Sequence, residues 1–220
     1  KSCKGFITVA PGASGSGVVG RGTIDGRGGS ALTGGPKAGL MTWWDVALLN
    51  KVSGFSQNCP VLLDLTQGGK DFLLLRIELL NSPHFHVKID SYDGFVAWGV
   101  QLLTPSLAYS VPNYACNPLP SNTVAATHPG TCYTPDFAKN TDGIDPGGSR
   151  NVLIAHSYIS VGDDNVAVTA SNKTNCITSA NGFCSSSNTL VAHNHFYYGH
   201  GMSVGSGTQG GVTGLYVWDL

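Results

Sequence analysis

Charge is scarce in this sequence. Only 11% of the residues are Asp, Glu, Lys or Arg, too few to coat the outer faces of many amphipathic helices. Neither sign predominates, the formal net charge being −1, so there is no basic field of the kind that holds nucleic acid or an acidic membrane surface. No uninterrupted apolar run approaches the roughly 18 residues of a membrane-spanning helix. The stretch at Lys1 lacks the form of a signal peptide, which a mature secreted chain would already have shed. CxxC pairs are missing, and the histidines lack zinc-finger spacing, which argues against a structural zinc site.

What is plentiful is glycine, 30 residues among 220, beside a hydrophobic fraction of 41%. That combination indicates an all-β chain with many tight turns, and the length suits one domain, 1–220. The glycine-rich run from Gly12 to Gly35 is not followed by a helical period, so it does not read as a dinucleotide-binding turn. Trp43-Trp44-Asp45 opens, and Lys51-Val52-Ser53-Gly54 closes, a short segment that reads as a helix capping or flanking the rest. Of the six cysteines, Cys116 with Cys132 and Cys176 with Cys184 each bracket a short loop that looks inserted. Disulfides there would tie down surface loops in an oxidising compartment, leaving Cys3 with Cys59. Reduced, buried thiols are the alternative.

From Pro60 onward the chain repeats. The run Asp71 to Leu79 is followed about 23 residues later by one beginning Gly94-Phe95-Val96-Ala97. Asn151-Val152-Leu153-Ile154-Ala155-His156 recurs as Asn188-Thr189-Leu190-Val191-Ala192-His193, and a third copy begins near Gly211. Each unit has an aliphatic stretch, a polar bend and a second short strand such as Val166-Ala167-Val168. One such unit cannot bury its own apolar side, whereas stacked units share a continuous core. The pattern predicts a right-handed parallel β-helix with loop insertions near 107–139 and 171–187. The first insertion is proline-rich and precedes Asn140, where it would wall a cleft or simply cover the surface. Asn151 and Asn188 are expected to form an asparagine ladder inside a bend. Asn172-Lys173-Thr174 is a formal glycosylation site.

Three short motifs stand out between 140 and 206: Asn140-Thr141-Asp142-Gly143-Ile144-Asp145, Gly162-Asp163-Asp164-Asn165 and Gly199-His200-Gly201. Asp142 and Asp163 are 21 residues apart, close to the span of one coil, and neighbouring strands lie about 4.8 Å apart. Asp142, Asp163 and Asp164 therefore crowd together, and at least one of such a group resists ionisation. A fold that tolerates such a cluster usually has a chemical use for it. Taken singly, Asp-Gly and Asp-Asp often only make turns. His84, His86, His156, His193 and His195 read as structural or surface residues. Calcium binding by the aspartates, as in the pectate lyases that share the β-helix, is the competing chemical reading.

In this order the three motifs resemble those of the polygalacturonases of glycoside hydrolase family 28. Asn81-Ser82-Pro83-His84-Phe85-His86-Val87 and the continuation to Pro146 are similar to bacterial members in particular. The resemblance covers roughly Gly20 to Leu220. It implies inverting hydrolysis of α-1,4-galacturonosidic linkages in polygalacturonate, most simply by endo action, with no cofactor and no metal. Exo action, rhamnogalacturonan cleavage by a relative, and a non-catalytic β-helix carbohydrate-binding module are the alternatives. Carried over by motif, Asp163 is the general acid, Asp142 and Asp164 are the bases that handle the water, and His200 steadies the acid's protonation. The family's Arg-x-Lys pair, which grips the substrate carboxylate in the coils after Gly-His-Gly, is absent from this chain. Asn140, Lys88 and Lys139 are the candidates left to hold substrate. The resemblance further implies a secreted, monomeric enzyme of pectin breakdown, with no nucleic-acid or membrane partner. The missing pair, together with the apolar last strand Leu215 to Leu220, leads to the expectation of a β-helix truncated at one or both ends, inactive when isolated.

Overall fold

The computed structural model describes residues 3–54, 59–66, 68–110, 132–170 and 184–220. Its strands fall into three all-parallel sheets wound as a right-handed β-helix. The first sheet stacks β1 (Ile7–Thr8), β4 (Leu63–Leu65), β7 (Val87–Asp90), β10 (Ile144–Gly147), β13 (Val166–Val168) and β16 (Met202–Val204). The second stacks β2 (Ala13–Val19), β5 (Gly69–Leu75), β8 (Tyr92–Trp98), β11 (Arg150–Ala155), β14 (Ser186–Ala192) and β17 (Val212–Trp218). The third stacks β3 (Thr23–Asp25), β6 (Glu78–Leu80), β9 (Gln101–Leu103), β12 (Tyr158–Ser160) and β15 (His195–Phe196).

Alternation along each strand sends every second side chain inward, and the register piles like on like. Leu74 pairs with Ala97, Ala97 with Ile154 and Ile154 with Val191, and all four are fully buried. Phe72 and Phe95 stack one coil apart, with ring centroids 6.0 Å apart and planes 5° from parallel. The third copy of the repeat starts later than expected. Thr189 pairs with Leu215, three residues beyond Val212, because the bend between β16 and β17 is longer than those between β4 and β5, β7 and β8, and β10 and β11.

The bends are written in residues that tolerate the left-handed region. Asp71, Gly94, Asn151 and Asn188 occupy it at one corner, with φ of 53°, 88°, 58° and 52°. The asparagine ladder forms there: Asn188 Nδ2 donates to Asn151 Oδ1 at 2.7 Å, and Asn151 Nδ2 to Asp93 Oδ1 at 2.7 Å. It lies on the exposed side of the bend rather than inside it.

The expected helix is α1 (Trp43–Ser53), which flanks the coils. Thr42 and Asp45 close a capping box at its start, and Gly54 at φ 64° ends it. Its first turn is pinned to the solenoid. Trp44 Nε1 donates to Ser82 O at 2.8 Å, and its ring meets Tyr109 and Tyr133 edge-on. Residues 132–138, the described end of the first insertion, lie against this helix through Tyr133, whose hydroxyl is 2.8 Å from Thr42 Oγ1. Residues 111–131 of that insertion, most of the second, Cys116, Cys176 and Asn172 lie outside the described residues. Cys132 and Cys184 are each disulfide-bonded. Cys3 and Cys59, expected to pair, are both free thiols. Cys59 is instead packed against Met41, Val46 and Ala47, with its Sγ 3.6 Å from Trp43 O.

Candidate active site

The first sheet carries the three motifs to one place. The register that pairs Ile144 with Val166, and Val166 with Met202, carries Asp142 onto Asp164 and Asp164 onto His200, with Asp163 beside them. Backbone bonds lock the strand ends together: Gly143 N donates to Asp164 O at 2.9 Å and His200 N to Asp163 O at 2.9 Å. Thr141, fully buried, ties the same two coils, since its hydroxyl donates to Ala138 O at 2.7 Å and accepts from Gly162 N at 2.9 Å.

Asn165 fastens the third motif to the second. Its amide donates to Ile159 O and Tyr198 O at 3.0 and 2.9 Å and accepts from Gly201 N at 2.9 Å. Gly199 sits at φ 142°, and a Cβ there would drive into the Asn165 amide, so the turn presenting His200 requires glycine.

His200 Nδ1 lies 3.1 Å from Asp163 Oδ1 and 3.6 Å from Asp164 Oδ1. The other oxygen of Asp163 accepts from Asn140 N and Nδ2 at 3.2 and 3.4 Å, with Asn140 held at φ 56°. Asp163 and Asp164 keep 16% and 21% of their side-chain surface exposed, and His200 59%. Asp142 is buried, with Oδ1 unpartnered. Burial, followed by the charges of Asp163 and then Asp164, pushes its carboxyl up to about 8. Asp145, also buried with Oδ1 unpartnered, is raised well above the carboxylate range, first by burial and then by Asp142. Desolvation and crowding thus converge on Asp142 and Asp145, the members farthest from water.

A cleft of about 320 Å³ runs over these groups. Asp142, Asp145, Asp163, Asp164, Asn140 and Lys88 line it, together with Lys51, Phe85 and Asp90. Lys88 pairs in register with Asp145, and its ammonium lies 5.1 Å from the centre of the Phe85 ring. Neither His200, which contacts Asp163 and Asp164, nor Lys139 is among the lining residues. Ligand atoms of Asp163, Asp164 and His200 lie within 4.8 Å of one another, close enough to share a cation. An imidazole nitrogen among only three donors is a poor match for calcium, which takes six to eight oxygens.

The remaining histidines have structural partners or surface positions, with one exception. His86 is fully buried, its Nδ1 2.9 Å from Asp142 O and its Nε2 2.8 Å from Thr104 Oγ1, and burial pushes it down to about 4. His156 and His193 stack at 5.2 Å on an outer bend. His84 is the exception: its Nδ1 is buried without a partner, and burial, then Lys88, holds it down to about 4. Sequence reasoning missed Lys51, since a lysine in a last helical turn ordinarily complements the helix dipole. It also passed over Asp145, although the Asn-Thr-Asp-Gly-Ile-Asp motif contains it.

Residues 4–220 match the sequence profile described as glycosyl hydrolases family 28. Over 220 residues the chain is 50% identical to a protein named polygalacturonase from Ralstonia nicotianae, covering 100% of this chain and 39% of that protein. It is 39% identical over 220 residues to an endo-polygalacturonase from Pectobacterium carotovorum subsp. carotovorum, covering 100% and 43%. The solved polygalacturonase of Erwinia carotovora ssp. carotovora matches with a TM-score of 0.73 at 37% identity, over 99% of this chain and 46% of that one. The chain thus spans about two fifths of the length of these curated relatives.

Proposed function

The chain belongs to the glycosyl hydrolases of family 28, and from that premise we propose that the protein hydrolyses α-1,4-galacturonosidic linkages inside polygalacturonate chains. One observation carries the reading: Asp142, Asp163 and Asp164 line a cleft that also holds lysines for an acidic sugar, with His200 from the next coil against Asp163. The relatives named polygalacturonase and endo-polygalacturonase support the substrate and the internal cut. Pectin is then the partner, and a secreted, monomeric enzyme is the form suited to a polymer outside the cell.

Asp163 delivers a proton to the leaving oxygen, since it reaches the cleft and touches His200. Asp164, assisted by Asp142, takes the proton of the attacking water. Because the carboxyls are coupled, their protons belong to the cluster rather than to one member. Water then adds to the anomeric carbon as the glycosidic bond breaks, leaving a new reducing end. Asn140 positions Asp163, and Lys88 meets the substrate's carboxylate. Lys139 belongs to this reading only at a more distant sugar.

Asp163→Asn keeps shape and removes proton donation. Turnover on polygalacturonate is expected to fall by about 10²–10⁴-fold, with binding of oligogalacturonate retained. Near-normal turnover would remove Asp163 from the acid's role.

A further inference from the structure

We propose that Lys51, carried by the flanking helix rather than by the coils, is a binding site for a substrate carboxylate and makes the cleft select unesterified over methyl-esterified uronic acid. This rests on the polygalacturonate reading above. Five aspartates line the cleft, Asp90 among them, and among the described residues Lys51 and Lys88 are the only basic ones in its lining. Despite those carboxylates, neither lysine has an ion-pair partner among the described residues. Lys88 rests over the Phe85 ring, and Lys51 is exposed. The cleft therefore offers ammonium groups without an ion-pair partner, and the carboxylate of a uronic acid is their complement.

Lys51 is held where this requires it. The helix is fixed at its first turn by the Trp44–Ser82 bond and by the Thr42, Asp45 and Tyr133 hydroxyl and carboxylate contacts. Its last turn is thereby a wall of the cleft rather than a free end. Lys51 lines the same cleft as Asp142, Asp163 and Asp164, so its ammonium shares that space with the carboxyls. Methyl esterification removes the charge that an ammonium recognises, so discrimination between free acid and ester follows from the contact itself.

The test uses the intact protein. In an Asp163→Asn background, binding of a short oligogalacturonate is measured by calorimetry with Lys51, Lys51→Gln and Lys51→Arg. Loss of one charge-assisted contact should weaken binding about tenfold in Lys51→Gln. Lys51→Arg should recover most of it, and added salt should narrow the difference. With Asp163 restored, the ratio of kcat/KM on polygalacturonate to that on highly methylated pectin should fall by a similar factor in Lys51→Gln. Unchanged binding and an unchanged ratio would overturn the proposal, as would equal losses on both polymers with a lowered melting temperature. If the protein binds oligogalacturonate through Lys51 yet never cleaves polygalacturonate, the hydrolase reading fails and this one stands.

Discussion

At the scale of single residues, the site is built on groups held away from their ordinary protonation. Asp142 and Asp145 bind protons more tightly folded than unfolded, because burial and mutual charge oppose their ionisation. Their contribution to stability is complete below the ordinary carboxylate value of 3.8 and is lost as pH climbs through the folded value, about 8 for Asp142. His84 and His86 act in the opposite sense, since both are pushed from 6.5 down to about 4. Their contribution is complete above 6.5 and lost as pH falls through about 4. The two trends offset one another between these limits, and above 6.5 only the carboxyl loss remains. The melting temperature should therefore fall between pH 6.5 and pH 8.5, and Asp142→Asn should flatten that slope. A melting temperature that rises over the interval would contradict the burial assigned to these carboxyls.

At the scale of elements, short hydrogen-bonded links hold the proposed catalytic groups in register. Asn165→Ala would leave Gly201 N without its acceptor, at about 1–3 kcal/mol for a buried group left unsatisfied. Ile159 O and Tyr198 O would lose a side-chain donor but keep backbone donors in Tyr197 N and Val161 N. Chemical denaturation should show a loss of about 1–3 kcal/mol, and turnover should drop as the His200 turn loosens. Unchanged stability would mean that the three bonds are replaced by others. The strands themselves were legible in the sequence, because aliphatic alternation and a coil-length repeat leave few other ways to bury Val152, Ile154 and Val191. The motifs were legible for a related reason: three polar clusters at coil spacing must stack. The start of β17 was not, since a longer bend shifts register without changing composition. The reach of Lys51 was also hidden. It depends on Trp44 finding Ser82 and Tyr133 finding Thr42, contacts that no local pattern announces. Cys3 and Cys59 show the limit of pairing cysteines by remainder.

At the scale of the whole molecule, each coil leans on its neighbours, so stability and site geometry travel along one axis. The cleft draws on coils bearing β7, β10, β13 and β16 and on the flanking helix, and no single coil contains it. On the proposed reading, this multi-coil carboxylate cluster hydrolyses polygalacturonate without a metal. The most direct measurement is the product pattern from polygalacturonate digested by the intact protein, with and without a strong chelator. Hydrolysis predicts a ladder of saturated oligogalacturonates with new reducing ends, unchanged by chelation. Unsaturated products that vanish with the chelator would contradict it and assign Asp163, Asp164 and His200 to a metal-dependent elimination instead.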